Sequence, residues 1–231
     1  MGIIVAPFAG KITSGITPNM LANKTIEFVY ASLPVWRDDS ARPKEHAENK
    51  LNLQLCKFLN STNSRNVFPM VHFEHEEYQT WPSSVDISAA PNETITLGAK
   101  TYTIYDTIVV IEGKRLPAPS SNREKEYVTG GEKYQGGGIQ RFKLKRHGGN
   151  HDVAAMVGYI EDGLISDWYI KINNWITELS ADNMADVCVW SKTETLKKLS
   201  IDSSKLVAKC YSINNRGNSN NILIHHLWVK M

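Results

Sequence analysis

Cysteine is scarce in this chain of 231 residues, which holds only Cys56, Cys188 and Cys210. They are far apart and odd in number, and no CxxC pair exists. Neither a zinc ribbon nor a disulfide framework is indicated, and a reduced, cytoplasmic setting is expected. Long apolar runs are also missing, since nothing approaches the ~20 residues that cross a bilayer. The opening stretch MGIIVAPFAGKITSG is apolar but short and lacks a basic leader. It has Ala6 where a myristoylation site prefers Ser or Thr, so it reads as neither kind of signal. A charge bias is lacking too: the formal net charge is +2, and any basic surface must be local. Internal repeats and low-complexity tracts are absent. With 42% apolar and 22% charged residues, the composition is that of a folded chain with a sizeable core.

The pattern along the chain predicts one α+β domain over 1–231, with a central mixed sheet flanked by helices. TIEFVYASL, residues 25–33, reads as a strand. The segment from Asp38 to Ser61 reads as a helix, with Pro43 in its first turn and Glu45 and Glu48 at its positive end. Leu51, Leu55 and Phe58 share one face of that helix, and Glu48 lies at its margin. Two extended segments follow, NVFPMVHFEHEEY and SSVDISA. In the second, Val85 and Ile87 point one way and Asp86 the other. A polar hairpin over 91–100 leads to TYTIYDTIVVIEGK, expected to pair antiparallel with the preceding strand. Residues 117–138 form a long Pro-, Ser- and Gly-rich loop. IQRFKLKRHGG reads as a short helix closed by glycine, VAAMVGYI as a strand, and SDWYIKINNWITELSA as an amphipathic helix capped by Ser166, with Trp168, Ile172 and Trp175 on its buried stripe. KLVAKCYSI and NILIHHLWVKM read as a closing hairpin joined by NNRGNSN.

An acid, any residue and then lysine is by itself uninformative. Chance predicts about two such triplets in a chain with 24 acids, and there are two, Glu48-Asn49-Lys50 and Glu112-Gly113-Lys114. Context singles out the second. It closes a run of β-branched residues, so Glu112 and Lys114 share a face of a strand that leaves the core. A charged pair so near a core needs a partner or a metal. Asp86, on the polar face of the preceding strand, is placed to approach Glu112, and two converging carboxylates favour a hard ion, Mg²⁺ or Mn²⁺. Asp106 shares the parity of Glu112 but stands ~20 Å away along extended chain. The bland alternative is a salt bridge at a strand end.

The order of these parts resembles the PD-(D/E)XK nuclease superfamily, with its restriction-endonuclease-like fold. A helix carries Glu48 in AENKLNLQL, a strand carries Asp86 in SSVDIS, and a further strand carries Glu112 and Lys114 in IVVIEGKRL. The resemblance covers about residues 43–160, leaving 1–42 and 161–231 as elaborations. Val85 stands where the family's first motif often has proline. The resemblance implies a metal-dependent endonuclease that hydrolyses phosphodiester bonds of double-stranded DNA, in restriction or anti-phage defence, acting as a homodimer. Asp86, Glu112 and the Gly113 carbonyl would bind Mg²⁺ or Mn²⁺. Lys114 would hold or help deprotonate the attacking water, and Glu48 would bind a second ion or orient a metal-bound water. The alternative is a nucleic-acid-binding or partner-binding protein of the same fold that does not cut.

Local positive charge gathers in GGGIQRFKLKRHGGNH. Arg141, Lys143, Lys145, Arg146 and His147 read as a phosphate-contact surface, with Gln140 at a position where the resembled family often has a polar residue. His225 and His226 are adjacent on a strand, point to opposite faces and make a poor chelate. Trp168, Trp175, Trp190 and Trp228 read as core.

Overall fold

The computed structural model describes residues 19–64, 67–80, 83–182, 186–217 and 220–231. The N-terminal stretch considered above lies outside the described residues, as do Asn218 and Ser219 of the last linker. The chain is α+β. Helices α1 (Met20–Arg37) and α2 (Glu48–Ser64) precede strands β1 (Val71–Thr80) and β2 (Ser83–Pro91), the small strands β3 (Ile95–Leu97) and β4 (Lys100–Tyr102), and β5 (Val109–Leu116). Then come α3 (Gly131–Tyr134), α4 (Gly138–Lys143), β6 (Val153–Ile160), α5 (Ile165–Ala181), β7 (Lys197–Asp202), β8 (Val207–Asn214) and β9 (Ile222–Lys230). Seven strands make one sheet in the order β1-β2-β5-β6-β9-β8-β7, and β3 pairs only with β4. The sheet is mixed: β6 runs parallel to both β5 and β9, and the remaining pairs are antiparallel.

Both sheet faces are covered. On one, α1 and α2 pack Val29, Leu33, Trp36, Leu51 and Leu55 against Ile87, Ile111, Ala155 and Val157. On the other, Ile139 and Phe142 of α4 and Trp168, Ile172 and Trp175 of α5 pack against Val110, Ala154, Met156 and Trp228. The tryptophans are core, as their apolar stripe indicates.

Several local expectations are overturned. Residues 25–33 are helix, not strand. Ala22, Ile26, Val29, Leu33 and Trp36 are all buried, and their alternating spacing of four and three is that of one helix face. Tertiary burial outweighs the β-branched content. Helix α2 begins at Glu48, five residues after Pro43. The carbonyl of Ala47 accepts its first N–H groups, and Pro43 instead offers its carbonyl to the Gln54 side chain. Helix α5 starts at Ile165 with Leu164 as its cap, so Ser166 lies inside the first turn. The β5 strand starts at Val109 rather than at residue 101, because Asp106 folds its own turn by accepting from Thr103 N and Oγ1 at 2.7 Å each. Edge strand β7 escapes a hydrophobic reading because it is polar and irregular, with Lys198 at φ 53°.

His226 lies fully buried between Tyr127 Oη at 2.8 Å and Ser212 Oγ at 2.9 Å. Burial first, and then the neighbouring His225, hold its pKa down to about 3. An unfolded histidine titrates near 6.5, so the unfolded chain takes up a proton that the folded chain refuses between these values. Stability therefore falls as pH drops through this window, by roughly 1.4 kcal/mol per pH unit at most. Urea unfolding at pH 7 and pH 4 is expected to show His226→Gln losing on the order of 3 kcal/mol less than wild type over that interval. Equal losses would show that His226 is not held neutral.

Candidate active site

The β2–β5 ladder pairs Ala89 with Val109, Ser88 with Val110 and Ile87 with Ile111. One residue beyond it stand Asp86 and Glu112. The Gly113 N–H, past the last paired residue, donates instead to Asp86 Oδ2 at 2.8 Å. A side chain thus replaces a backbone partner, which turns the Asp86 carboxylate toward β5.

Helix α2 approaches β5 at the same level. Asn52 is fully buried, and its Oδ1 accepts from Tyr159 Oη at 2.8 Å. A Cβ on residue 113 would fall 1.9 Å from that Oδ1, so any larger residue there would have to displace the buried Asn52 side chain. Glu48, one turn earlier on the same face of α2, is brought over the next residue of β5. Its Oε1 lies 2.6 Å from Lys114 Nζ, and its Oε2 accepts from Arg115 N at 3.3 Å.

Lys114 Nζ also lies 2.9 Å from Glu112 Oε1 and donates to the Gly113 carbonyl at 3.1 Å. Arg141 Nη1 reaches the same Glu112 oxygen at 2.7 Å. His147 Nδ1 stands 2.9 Å from Glu112 Oε2, but without hydrogen-bond alignment, so this buried oxygen keeps an unused acceptor position. Glu112 and Lys114 sit mid-strand, not at its tip, paired with β6 on one side and past the end of the β2 ladder on the other, and both are buried.

Burial opposes ionisation of Glu112, but Lys114, His147 and Arg141 outweigh it and hold the carboxyl well below the usual range. Lys114 is raised above an ordinary lysine: burial works against its charge, and Glu112, Asp86 and Glu48 more than compensate. It therefore keeps its proton. Asp86 is pushed up to about 7 by burial and then by the charge of Glu112. Asp106, in its own exposed turn, takes no part.

The basic segment divides three ways. Gln140 is buried, accepts from Gly130 N and Gly137 N at 3.0 and 3.2 Å, and donates to Asp186. Asp186 also takes Thr129 Oγ1 and Trp190 Nε1, so Gln140 pins the glycine-rich loop. Lys143 pairs with Glu194, both about 2% exposed, under the Trp190 ring. Neither Gln140 nor Lys143 faces a ligand, which corrects their reading as nucleic-acid contacts: an amphipathic reading cannot tell a buried pinned cation from a solvated one. Lys145 and Arg146 are exposed, and Arg146 donates to Gln135. Arg141 turns inward to Glu112. Arg216, with no sequence signal of its own, donates to the carbonyls of Phe142, Gly148 and His151 at 2.9 Å each. It shapes the loop that carries His147. Asn52 was legible only as the residue one turn beyond Glu48.

Among the described residues, no three of His, Cys, Asp or Glu are already gathered as ligands around one point. The donors present nevertheless suit a hard divalent cation. Asp86 Oδ1 has no hydrogen-bond partner among the described residues, Glu112 Oε2 has an unused acceptor position, and both are carboxylate oxygens. No family model, curated protein or solved structure matches the chain.

The close approach at Gly113 has a measurable consequence. Gly113→Ala is expected to destabilise by roughly 1–3 kcal/mol in urea unfolding, and Asn52→Ala in the same background to recover part of it. Unaltered stability of the single variant would show that α2 does not rest on Gly113.

Proposed function

We propose that this chain is a divalent-metal-dependent nuclease of the PD-(D/E)XK type, hydrolysing phosphodiester bonds of DNA. The observation that carries the proposal is the convergence of Asp86 on β2, Glu112 and Lys114 on β5 and Glu48 at the start of α2, joined by contacts of 2.6 to 2.9 Å. The chain order α2, β1, β2, β5, α4, β6 agrees with the helix–strand–strand–strand–helix–strand order of the resemblance. Asp86, Glu112 and the Gly113 carbonyl are the residues that would hold Mg²⁺ or Mn²⁺. Such an ion, when bound, supplies polarisation of the phosphate and a more acidic water.

The chain's own groups do the rest. Lys114, which keeps its proton, serves as a fixed cation that donates to an attacking water or a phosphoryl oxygen; it is not the base. Glu48 fixes the Lys114 ammonium and so acts by positioning it rather than by binding a second ion. Burial on both sides of the strand strengthens these charges and restricts water. Exposed Lys145 and Arg146 would meet the phosphate backbone. Two copies of the chain would cut two strands, and restriction or anti-phage defence is the setting proposed.

A second reading has one observation in its favour. One Glu112 oxygen faces two cations of the chain itself and the other faces the His147 ring, as in a cluster that only holds the fold together and binds DNA without cutting it. Incubation of supercoiled plasmid with Mg²⁺ or Mn²⁺ separates the two. Nicking or linearisation is expected from wild type, with a loss of about a hundredfold or more in Lys114→Ala. Undiminished cleavage by that variant would sink the assigned site. Salt-sensitive, metal-independent binding with no cleavage would establish the second reading.

A further inference from the structure

Two cations share Glu112 Oε1, and they are not equivalent. Lys114, at 2.9 Å, is also held by Glu48 and by the Gly113 carbonyl, and its side chain is only 4% exposed. It is almost wholly buried and has two other partners to keep it in place. Arg141, at 2.7 Å, has Glu112 as its one ion-pair partner among the described residues, and its side chain is 30% exposed. It is carried on a helix of six residues whose C-terminus opens into the 144–152 loop. Of the two, only Arg141 can leave Glu112 without stranding itself in the core.

We propose that Arg141 is a built-in competitor for the divalent cation. It occupies Glu112 in the ion-free protein and withdraws toward solvent when an ion takes that carboxylate. A buried carboxylate with no counter-charge would be costly, so a site that must stay folded between metal ions needs a resident cation. An arginine at the mouth meets that need reversibly, and the energy of its pairing is subtracted from the affinity for the ion. By reciprocity, the ion weakens the hold of Glu112 on Arg141 by the same factor. The inference rests on the metal reading above.

Isothermal titration with Mn²⁺ tests it on three proteins: wild type, Arg141→Gln and Arg146→Gln. The last removes the same unit charge from the same segment, from an exposed side chain that donates to Gln135. Removing the competitor is expected to tighten Mn²⁺ binding about tenfold, a typical coupling between two ligands of one site. Arg146→Gln is expected to bind as wild type does. Tightening that is absent, or equal in the two variants, overturns the inference and leaves the metal reading standing. Absence of Mn²⁺ binding in all three proteins overturns both. A crystal structure of wild type with Mn²⁺ needs no variant: Arg141 withdrawn from Glu112 supports the proposal, and Arg141 still within hydrogen-bond distance of Glu112 beside a bound ion refutes it.

Discussion

A carboxylate with no solvent exposure, halfway along an interior strand, is the constraint around which this molecule is arranged. Glu112 pairs with Met156 of β6 on one side, stands one residue past the β2 ladder on the other, and has packed helices above and below. Left alone, such a charge would cost several kcal/mol or would be neutralised. Here it stays ionised because Lys114, His147 and Arg141 surround it. Each of those side chains must in turn be delivered by a different piece of structure.

The deliveries account for much of the local architecture. Lys114 comes from the same strand face, two residues on, and needs Glu48 as a further partner. Glu48 reaches it only because α2 descends onto Gly113, where Asn52 and Tyr159 take the space of a side chain. His147 comes from the loop after α4, whose carbonyls are gathered by Arg216 from the β8–β9 connection. Arg141 comes from α4, which is fixed at one end by Gln140 on the glycine-rich loop and at the other by Lys143 on Glu194. Residues that contact nothing in the site therefore determine where its charges stand.

This arrangement is a poor way to stabilise a sheet. Apolar residues at positions 86, 112 and 114 would fill the same space without desolvating three charges. Asp86, with its carboxyl held near neutrality by burial and by Glu112, adds cost and returns one backbone hydrogen bond. Perturbed carboxylates and a protonated lysine gathered at a split between two strands are the usual signature of a site kept for chemistry. That is the physical ground on which a catalytic role is proposed for it.

The parts of the site that lie within one or two consecutive segments were legible in the sequence. Residue parity placed Glu112 beside Lys114, and the apolar stripes of α2 and α5 marked their buried faces. These are local facts, because side-chain direction follows from φ and ψ alone. The alternation read around Asp86 did not hold, since Val85 packs in the core with α4 and α5 and Ile87 in the core with α1 and α2. What covers a face is not local. The same basic segment sends Lys143 into the core, Arg141 to Glu112 and Lys145 to water, and periodicity treats all three alike. Likewise, residues 25–33 have the side chains of a strand and became a helix because a sheet face needed a helical stripe of apolar residues to cover it. The sequence alone determined which groups could meet on β2 and β5. Only the tertiary structure decided which distant cations would neutralise them, since a buried charge takes its partner from wherever the chain passes nearest in space.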